Sequence, residues 1–225
     1  MFFRVGYLLF LLLFSLSFLL FCHHVGNIVR NNVTVVTVQC DANGKRVTCG
    51  GFVCDGAIMT VAHILEYVDR NECASVHMNG CSYYPSLPGI CVHMNGQTFF
   101  PLSAYVDEQN DLCLFPLPEV RGNVTFRENP TFFTSYYLPS IKEKTNEKKR
   151  LLFLSPFGRG TMLCLSGIVE SGSSGYPVLD YSGDVTGIVC SVDHNKTVTY
   201  ATGGKALIFL YETYENNYKS SYVLS

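Results

Sequence analysis

Short runs rich in Val, Thr and Ile, separated by two-residue turns, constrain the fold of this chain more than any other sequence feature. Runs of this kind occupy residues 33–40, 47–53 and 57–62, with Asn43-Gly44 and Asp55-Gly56 between them. An Asn-Gly or Asp-Gly pair between two β-rich runs is the strongest local signal for a β-hairpin. The 225 residues also include 14 Tyr, 16 Phe and 19 Gly. Together these features predict an all-β fold of antiparallel strands rather than a helical bundle.

The charge of the chain argues against nucleic acid as a partner. Its 16 Lys and Arg residues are balanced by 18 Asp and Glu residues, which leaves a net charge of −2. A surface that binds nucleic acid concentrates positive charge against phosphates, and no segment here combines a basic stripe with interleaved aromatic residues. The densest run of charge, KEKTNEKKR at residues 142–150, predicts a solvated loop that joins two halves of the chain. A cleavage site in this loop is the alternative interpretation.

Residues 5–22 form an uncharged run of 18 residues, VGYLLFLLLFSLSFLLFC. About 17–25 residues span a membrane as a helix, whereas the apolar core of a signal peptide has about 7–15. The length therefore predicts a membrane anchor over residues 5–22. Arg4 and the amino terminus slightly outweigh Arg30 in positive charge, so the positive-inside rule places the rest of the chain on the lumenal or extracellular side rather than the cytoplasmic side.

The ten cysteines bear on metal and redox chemistry. Nine lie outside residues 5–22, an odd number, and none is spaced as CxxC, so the sequence predicts no zinc site. In a lumenal domain we expect disulfides, for example within Cys73, Cys81 and Cys91, with one thiol left over. In a reducing compartment all nine would be small buried hydrophobic residues. No metal or organic cofactor is expected.

Residues 76–85, VHMNGCSYYP, and residues 92–101, VHMNGQTFFP, form an internal repeat with an offset of 16 residues. Identical leading residues and the shared Asn-Gly pair predict a duplicated β-hairpin. Because His77 and His93 repeat with the rest of the unit, we interpret them as residues of a strand face rather than ligands.

Three separated motifs contain residue types that together can perform nucleophilic catalysis. The motif TVAHIL places His63 at the end of an apolar run, and DLCLF places Asp111 at the start of another. The motif GSSGYPVL places Ser174 beside a glycine and is followed by a turn and the run VTGIV. A serine hydroxyl is a weak nucleophile until a base takes its proton, and an imidazole base needs a carboxylate to fix its tautomer.

These motifs resemble the T-A-A-H, D-L-A-L-L and G-D-S-G-G-P motifs of the chymotrypsin-like serine proteases. The order His63, Asp111, Ser174 is that of this family and differs from the orders in subtilisins and α/β-hydrolases. The resemblance covers about residues 33–210. It is closest to the compact proteases of positive-strand RNA viruses, notably the serine main proteases of arteriviruses, and to the bacterial Deg/HtrA proteases.

The resemblance implies two antiparallel Greek-key β-barrels, preceded here by the apolar membrane helix. Removing one 16-residue repeat shortens the 48-residue spacing from His63 to Asp111 to 32, so one repeat is expected to be an insertion outside the site. The Tyr-rich end, residues 211–225, is expected to be a frayed terminus. The expected regions are the membrane segment and joint (1–32), the N-terminal barrel (33–141), the charged linker (142–150) and the C-terminal barrel with its tail (151–225).

The resemblance also implies roles for individual residues. Ser174 would be the nucleophile, His63 the general base and then the general acid, and Asp111 the orienting carboxylate. The main-chain N–H groups of Gly172 and Ser174 would form the oxyanion hole, which stabilises the negative charge that develops on the substrate carbonyl oxygen. Asp107 is an alternative to Asp111, but no apolar strand follows it directly.

Two positions in the nucleophile loop depart from the family pattern. Ser173 stands where trypsin-like zymogens carry the Asp that pairs with a newly freed N-terminus, which implies an enzyme that needs no such cleavage. Tyr176 replaces a small residue two positions after Ser174, and we expect its side chain to point outward.

The walls of the pocket beside the nucleophile should set the substrate preference. In arterivirus-type enzymes a His on the strand after the nucleophile hairpin selects Glu or Gln, and the run GIVCS here has none. An apolar residue stands where trypsin-like enzymes keep an acidic one, so an apolar or small residue is expected before the cleaved bond. Glu170 complicates this expectation, and His194 is expected to be solvated in a hairpin turn. The predicted substrate-binding residues are Ile168, Val189, Cys190 and Ser191.

The sequence thus predicts a membrane-anchored serine endopeptidase whose substrate is a polypeptide, and the viral resemblance implies its own polyprotein. One alternative is a secreted or lumenal trypsin-like protease. Another is a catalytically silent protease-fold module that binds a partner. Retention of His63, Asp111 and Ser174 argues against the silent module, because binding alone does not need them.

Overall fold

The computed structural model describes residues 12–18, 33–42, 45–68, 74–78, 80–129, 135–138, 150–155, 162–170, 172–180 and 182–222. Within the predicted membrane segment, residues 12–18 form a helix, α1, whose side chains are exposed. Among the described residues, no helix is both long enough and apolar enough to cross a membrane. The remainder of the segment 5–22 lies outside the described residues, so the anchor stays a prediction.

The first half of the chain forms one antiparallel sheet of nine strands. They are β1 (Val35–Ala42), β2 (Lys45–Cys54), β3 (Ala57–Val61), β4 (Val76–Met78), β5 (Cys81–Tyr84), β6 (Ile90–Met94), β7 (Gln97–Phe99), β8 (Ala104–Asp107) and β9 (Leu112–Pro116). A 3-10 helix, η1 (Ala62–Tyr67), follows β3. The strand order is β4-β5-β8-β9-β3-β2-β1-β6-β7, so β4 and β7 are the edges.

The second half of the chain forms a ring of six antiparallel strands, followed by a helix. Its elements are β10 (Ser135–Leu138), β11 (Arg150–Ser155), β12 (Met162–Ser166), β13 (Pro177–Leu179), β14 (Val185–Asp193), β15 (Val198–Gly203) and the helix α2 (Gly204–Tyr222). The strand order is β10-β11-β12-β15-β14-β13, and the ring is completed where Tyr137 of β10 pairs with Leu179 of β13. The prediction of two closed barrels is therefore not confirmed, because the first sheet is open and a single residue pair joins the ends of the second.

The predicted hairpins are found where the Asx-Gly signals placed them. β2 and β3 pair from Phe52 opposite Met59 to Cys54 opposite Ala57, with Asp55-Gly56 as the turn between them. Gly56 has a φ of 76°. A positive φ at the third residue of a tight turn favours glycine. β1 and β2 pair up to Ala42 opposite Lys45, while Asn43-Gly44 lies outside the described residues.

The internal repeat forms two hairpins at opposite edges of the first sheet. β4 and β5 make the first hairpin and β6 and β7 the second, in which Asn95 and Gly96 both have positive φ. β5 pairs with β8 and β6 pairs with β1, so both copies belong to the sheet. That one copy is an insertion outside the site stays a prediction, and both copies lie at the edges of the sheet. His77 and His93 lie on strands, where each imidazole Nδ1 is within hydrogen-bond distance of a hydroxyl of the partner strand.

The boundary between the two halves differs from the predicted one. β10 lies before the charged run 142–150 and pairs within the second sheet, so that sheet begins before residue 141. Earlier still, Arg127 donates its main-chain N–H to Val185 O at 2.8 Å, which brings the chain against the start of β14. Residues 141–149 themselves lie outside the described residues.

Helix α2 packs on the first sheet and corrects the expectation of a frayed terminus. Ala206, Leu207, Leu210 and Tyr214 are buried at helical spacing, which makes one continuous apolar face. Tyr214 stacks edge-on against Tyr105 of β8 with ring centroids 5.7 Å apart. Its hydroxyl also donates to Gly56 O at 2.9 Å. Residues 206–218 therefore pack as part of the main hydrophobic core, and residues 223–225 lie outside the described residues.

All described cysteines are free thiols, and all but Cys164 are buried. Cys54 is fully enclosed by the core and burial strongly raises its pKa, which keeps the thiol protonated. Among the described residues the cysteines thus behave as small core residues. Cys22 and Cys73 lie outside the described part of the chain.

We predict that Tyr214→Phe lowers the free energy of unfolding by about 0.5–1.5 kcal/mol, because the buried carbonyl of Gly56 loses one of its two donors and keeps the main-chain N–H of Leu117. Tyr211→Phe is the matched control, since its hydroxyl bond to Asp55 O is longer, at 3.2 Å, and exposed. Urea unfolding measures both variants. Equal losses of unfolding free energy for the two variants would contradict a larger contribution from the buried Tyr214 bond than from the exposed Tyr211 bond.

Candidate active site

His63 and Asp111 lie beyond the same end of two paired strands. β3 and β9 are antiparallel neighbours, and their last pair is Val61 opposite Leu112. His63 follows this pair in η1, and Asp111 immediately precedes β9. The strand register therefore brings the histidine and the carboxylate together, although 48 residues separate them in sequence.

Two hydrogen bonds join His63 to Asp111. Imidazole Nδ1 lies 2.8 Å from Asp111 Oδ2, and the main-chain N–H of His63 donates to Oδ1 at 2.8 Å. Each side chain is about one-third exposed, at 34% and 33%. The hydrogen-bonded carboxylate raises the pKa of His63 against the opposing effect of burial, and the charge of Glu66 adds a smaller contribution. With Nδ1 engaged, Nε2 is the ring nitrogen that remains for a proton transfer.

The turn that presents Asp111 has an unusual backbone. Asp111 has a φ of 53°, a left-handed conformation that costs free energy in a residue other than glycine. Asp107, the alternative carboxylate, is buried and supports this turn. Its two oxygens accept from the main-chain N–H of Asn110 at 3.1 Å and from the Asn110 side-chain amide at 2.7 Å. Asp107 is thus placed beneath the turn and Asp111 against the histidine.

The loop that carries Ser174 is shaped by two glycines with left-handed backbone. Ser173 N–H donates to Glu170 O at 3.1 Å and closes a four-residue turn whose third residue, Gly172, has a φ of 87°. That position of a turn favours glycine. Gly175 also has a φ of 87°, and its N–H donates to Val189 O at 2.8 Å.

Ser174 lies beside this turn and is half-buried, and its hydroxyl is bonded to the main chain. Its Oγ donates to Cys190 O at 3.2 Å. Among the described residues, no hydrogen bond joins Ser174 to His63. The main-chain N–H groups of Gly172 and Ser174, the predicted oxyanion donors, donate to no acceptor in the described part of the chain.

A contact that could not be foreseen from the motifs holds the loop that carries Ser174 against the first sheet. The N–H of Gly50, in β2, donates to Ser174 O at 2.6 Å, and the buried hydroxyl of Thr60 donates to Gly50 O at 2.6 Å. A Cβ on Gly50 would overlap the ring of Tyr176. Tyr176 is therefore half-buried over Gly50 rather than pointing outward, because glycine leaves room for the ring. The sequence signal was the Gly50-Gly51 pair inside a strand, which marks a close approach by another segment.

A groove of about 180 Å³ lies beside Ser174. Its walls include Val169, Val192, Glu170 and His194. The predicted wall residues lie elsewhere: Val189 is in the core of the second sheet, Cys190 is buried, Ser191 is exposed and Ile168 is half-buried. The register of β14 against β15 shifts between Val189 and Ser191, and such a bulge re-aims the side chains around it. Glu170 and His194, which the sequence left unresolved, give the groove a polar rim.

Among the described residues, no group of three or more His, Cys, Asp or Glu side chains is arranged to hold a metal ion.

No family model matches the sequence, and no curated protein is similar to it in sequence. The fold is similar to the active form of the Rv3671c protease from M. tuberculosis, with a TM-score of 0.58 and 16% identity over 80% of each chain. It is also similar to a mutant of the Tobacco Etch Virus protease, with a TM-score of 0.56 and 16% identity over 76% of this chain and 73% of that chain. For the human pathogenic astrovirus serine protease the TM-score is 0.50 and the identity 16%, over 76% of this chain and 88% of that chain. This chain has the chymotrypsin-like fold.

The resemblance drawn from the three motifs is therefore confirmed at the level of the fold. In that fold His63 and Asp111 come from the first sheet and Ser174 from the second, as their order in the sequence implied. The site lies where the two sheets meet.

We predict that Gly50→Ala destabilises the protein by about 1–3 kcal/mol, because the added methyl group meets the Tyr176 ring. Urea unfolding of Gly50→Ala in the wild-type and Tyr176→Ala backgrounds isolates this contact. The loss of unfolding free energy caused by Gly50→Ala should be smaller in the Tyr176→Ala background, because the ring that meets the methyl group is absent there. An equal loss in both backgrounds would place the effect of the methyl group elsewhere.

The His63–Asp111 pair predicts a pH-dependent contribution to stability. A raised pKa in the folded protein means that the protonated imidazole stabilises the fold below the ordinary pKa of about 6.5, and that this contribution is lost as pH rises through the raised value. Asp111→Asn should therefore destabilise the protein more at about pH 5.5 than at about pH 8.5. Urea unfolding at both pH values measures this difference. A destabilisation independent of pH would contradict an effect of Asp111 on His63.

Proposed function

We propose that this protein is a serine endopeptidase with Ser174 as nucleophile, His63 as general base and acid, and Asp111 as the orienting carboxylate. The observation that carries the proposal is the His63–Asp111 pair, with its two hydrogen bonds of 2.8 Å, beside the loop that presents Ser174. Supporting it are the chymotrypsin-like fold and the order of the three motifs. A serine is activated by a neighbouring base, and that base by a carboxylate that fixes its tautomer.

In the first step Ser174 Oγ attacks the carbonyl carbon of the scissile peptide, and its proton passes to Nε2 of His63. The carbonyl oxygen becomes negative and is stabilised by the N–H groups of Gly172 and Ser174. His63 then gives the proton to the leaving amine as the C–N bond breaks, which leaves an acyl-enzyme on Ser174. After the amine leaves, water attacks the acyl carbon while His63 takes one of the water protons. The bond to Ser174 Oγ then breaks, His63 returns that proton to Oγ, and the acid is released.

One side-chain rotation must precede this reaction. Ser174 Oγ donates to Cys190 O in the structure, so its χ1 must change before it donates to His63. The bond to Cys190 O is 3.2 Å long and Ser174 is half-buried, so a single net hydrogen bond of about 0.5–1.5 kcal/mol opposes the change. Substrate that occupies the groove would favour the rotated form.

The setting we propose is the processing of a viral polyprotein at a membrane, with residues 5–22 as the anchor and the enzyme domain on its lumenal or extracellular side. The viral resemblance of the motifs and the similarity to the Tobacco Etch Virus and astrovirus proteases support a polypeptide substrate of this kind. The anchor and its orientation rest on the sequence alone. Residues 168 and 189–191 remain the proposed substrate-binding positions, with Val192 and His194 added by the groove.

A second candidate function is a catalytically silent module that binds a partner through the same groove. The observation that favours it is the hydroxyl of Ser174, which is bonded to Cys190 O rather than to the histidine.

Labelling of the full-length chain with a fluorophosphonate probe separates the two functions. We expect the wild type to be labelled, Ser174→Ala to be unlabelled, and His63→Ala to react at least about 100-fold more slowly because the general base is gone. Ser173→Ala is the matched control, since it removes the neighbouring hydroxyl and leaves Ser174 in place. Equal labelling of wild type and Ser174→Ala, or none of the folded wild type, would favour the silent module.

A further inference from the structure

The carboxylate of Asp111 is carried by a tight turn with a strained backbone. Both of its oxygens are engaged by His63, and its own backbone is left-handed. From the first sheet the turn is held by Ala62 N–H, which donates to Asp111 O at 3.1 Å, and by the buried Asp107. Strained backbone of this kind persists only where the surroundings determine it.

Thr202 supports the same turn from the second sheet. It lies in β15, is buried, and donates its hydroxyl to Asn110 O at 2.6 Å, across 92 residues of sequence. Asn110 is the residue immediately before Asp111. Thr202 thus holds the peptide that precedes the carboxylate, which is the position from which a shift would rotate Asp111 away from His63.

Thr202 also contacts the strand that flanks Ser174. Its Oγ1 is 3.1 Å from the Sγ of Cys190, whose carbonyl oxygen accepts from Ser174 Oγ. Burial raises the pKa of Cys190 to about 11, with a further contribution from the charge of Asp111, so the thiol keeps its proton. That proton has two acceptors within reach, Thr202 Oγ1 at 3.1 Å and Ile188 O at 3.4 Å. One buried hydroxyl therefore contacts both the turn that carries the carboxylate and the strand beside the nucleophile.

We propose that Thr202 is a positioning residue: its hydroxyl ties the Asn110–Asp111 turn to β15 and so sets the place of the His63–Asp111 pair relative to Ser174. As a statement about catalysis this rests on the proposed function. As a statement about the geometry of the pair it does not. The charged groups that act on His63 are Asp111 and Glu66, so a displaced Asp111 changes the titration of the imidazole.

The test compares substitutions of Thr202 in the full-length chain. Thr202→Val keeps the shape and the β-propensity of the side chain but replaces the hydroxyl with a methyl group. Thr202→Ala removes the hydroxyl without adding a methyl group in its place. Thr202→Ser keeps the hydroxyl. Thr199→Val is the matched control, because Thr199 is buried in the same strand and donates to Gly167 O at 2.8 Å, within the second sheet.

Two readouts are made on each variant. The titration of the His63 imidazole, followed by NMR, is expected to move to a lower pKa in Thr202→Val and Thr202→Ala and to stay near the wild-type value in Thr202→Ser and Thr199→Val. The rate of fluorophosphonate labelling is expected to fall about 10- to 100-fold in Thr202→Val and Thr202→Ala, because a misplaced catalytic group reacts more slowly. In Thr202→Ser the rate is expected to stay near the wild-type value.

The outcomes distinguish this inference from the proposed function. A changed His63 titration in a protein that never labels would support the positioning role and overturn the protease. An unchanged titration and rate in folded Thr202→Val or Thr202→Ala would overturn the positioning role while the protease stands. Equal effects of Thr199→Val and Thr202→Val would also overturn it, because a general loss of stability would then explain both. If the valine variant does not fold, the alanine and serine variants decide between these results.

Discussion

A main-chain hydrogen bond of 2.6 Å from Gly50 N to Ser174 O holds the loop that carries Ser174 against the first sheet, and the geometry of the candidate site depends on it. The bond forms only because Gly50 has no side chain, which lets both the loop backbone and the Tyr176 ring approach β2. Gly175 meets the same requirement from the other side, since a Cβ there would overlap Gly50 O. Two glycines, distant in sequence, thus permit one close contact between the sheets.

Each sheet also sends a segment across to the other. Residues that follow the first sheet bind the start of β14, where Arg127 N–H donates to Val185 O and the Arg127 guanidinium lies 3.0 Å from the buried carboxylate of Asp180. The helix α2 follows the last strand of the second sheet, and its side chains Leu207, Leu210 and Tyr214 are buried against the first sheet. A site at such a seam is positioned from both sides, so a change in either sheet is felt by His63, Asp111 and Ser174. The hydroxyl of Thr202 extends the same arrangement to the carboxylate itself.

The local parts of this structure could be predicted from the sequence, and the contacts between distant parts could not. Asx-Gly turns predicted the hairpins, and the apolar runs beside His63 and Asp111 predicted the two strands that carry these residues. The bonds from Gly50 to Ser174 and from Thr202 to Asn110 leave no periodic trace, because each depends on how two sheets pack. Tyr211, Tyr214 and Tyr218 did carry a helical spacing that indicated a packed α2, and the expectation of a frayed end overlooked it. The lining of the groove, with Val169, Glu170, Val192 and His194, could not be predicted, because a bulge in β14 changes which of its side chains face one side.

The central claim is that Ser174, His63 and the N–H groups of the nucleophile loop form one catalytic unit. The most direct test is a crystal structure of the full-length protein after reaction with a peptidyl phosphonate. The account predicts phosphorus bonded to Ser174 Oγ, a phosphonyl oxygen accepting from the N–H groups of Gly172 and Ser174, and His63 still bonded to Asp111 with its Nε2 directed at the adduct. An unmodified Ser174 whose hydroxyl still donates to Cys190 O, with the phosphonate elsewhere or absent, would contradict it.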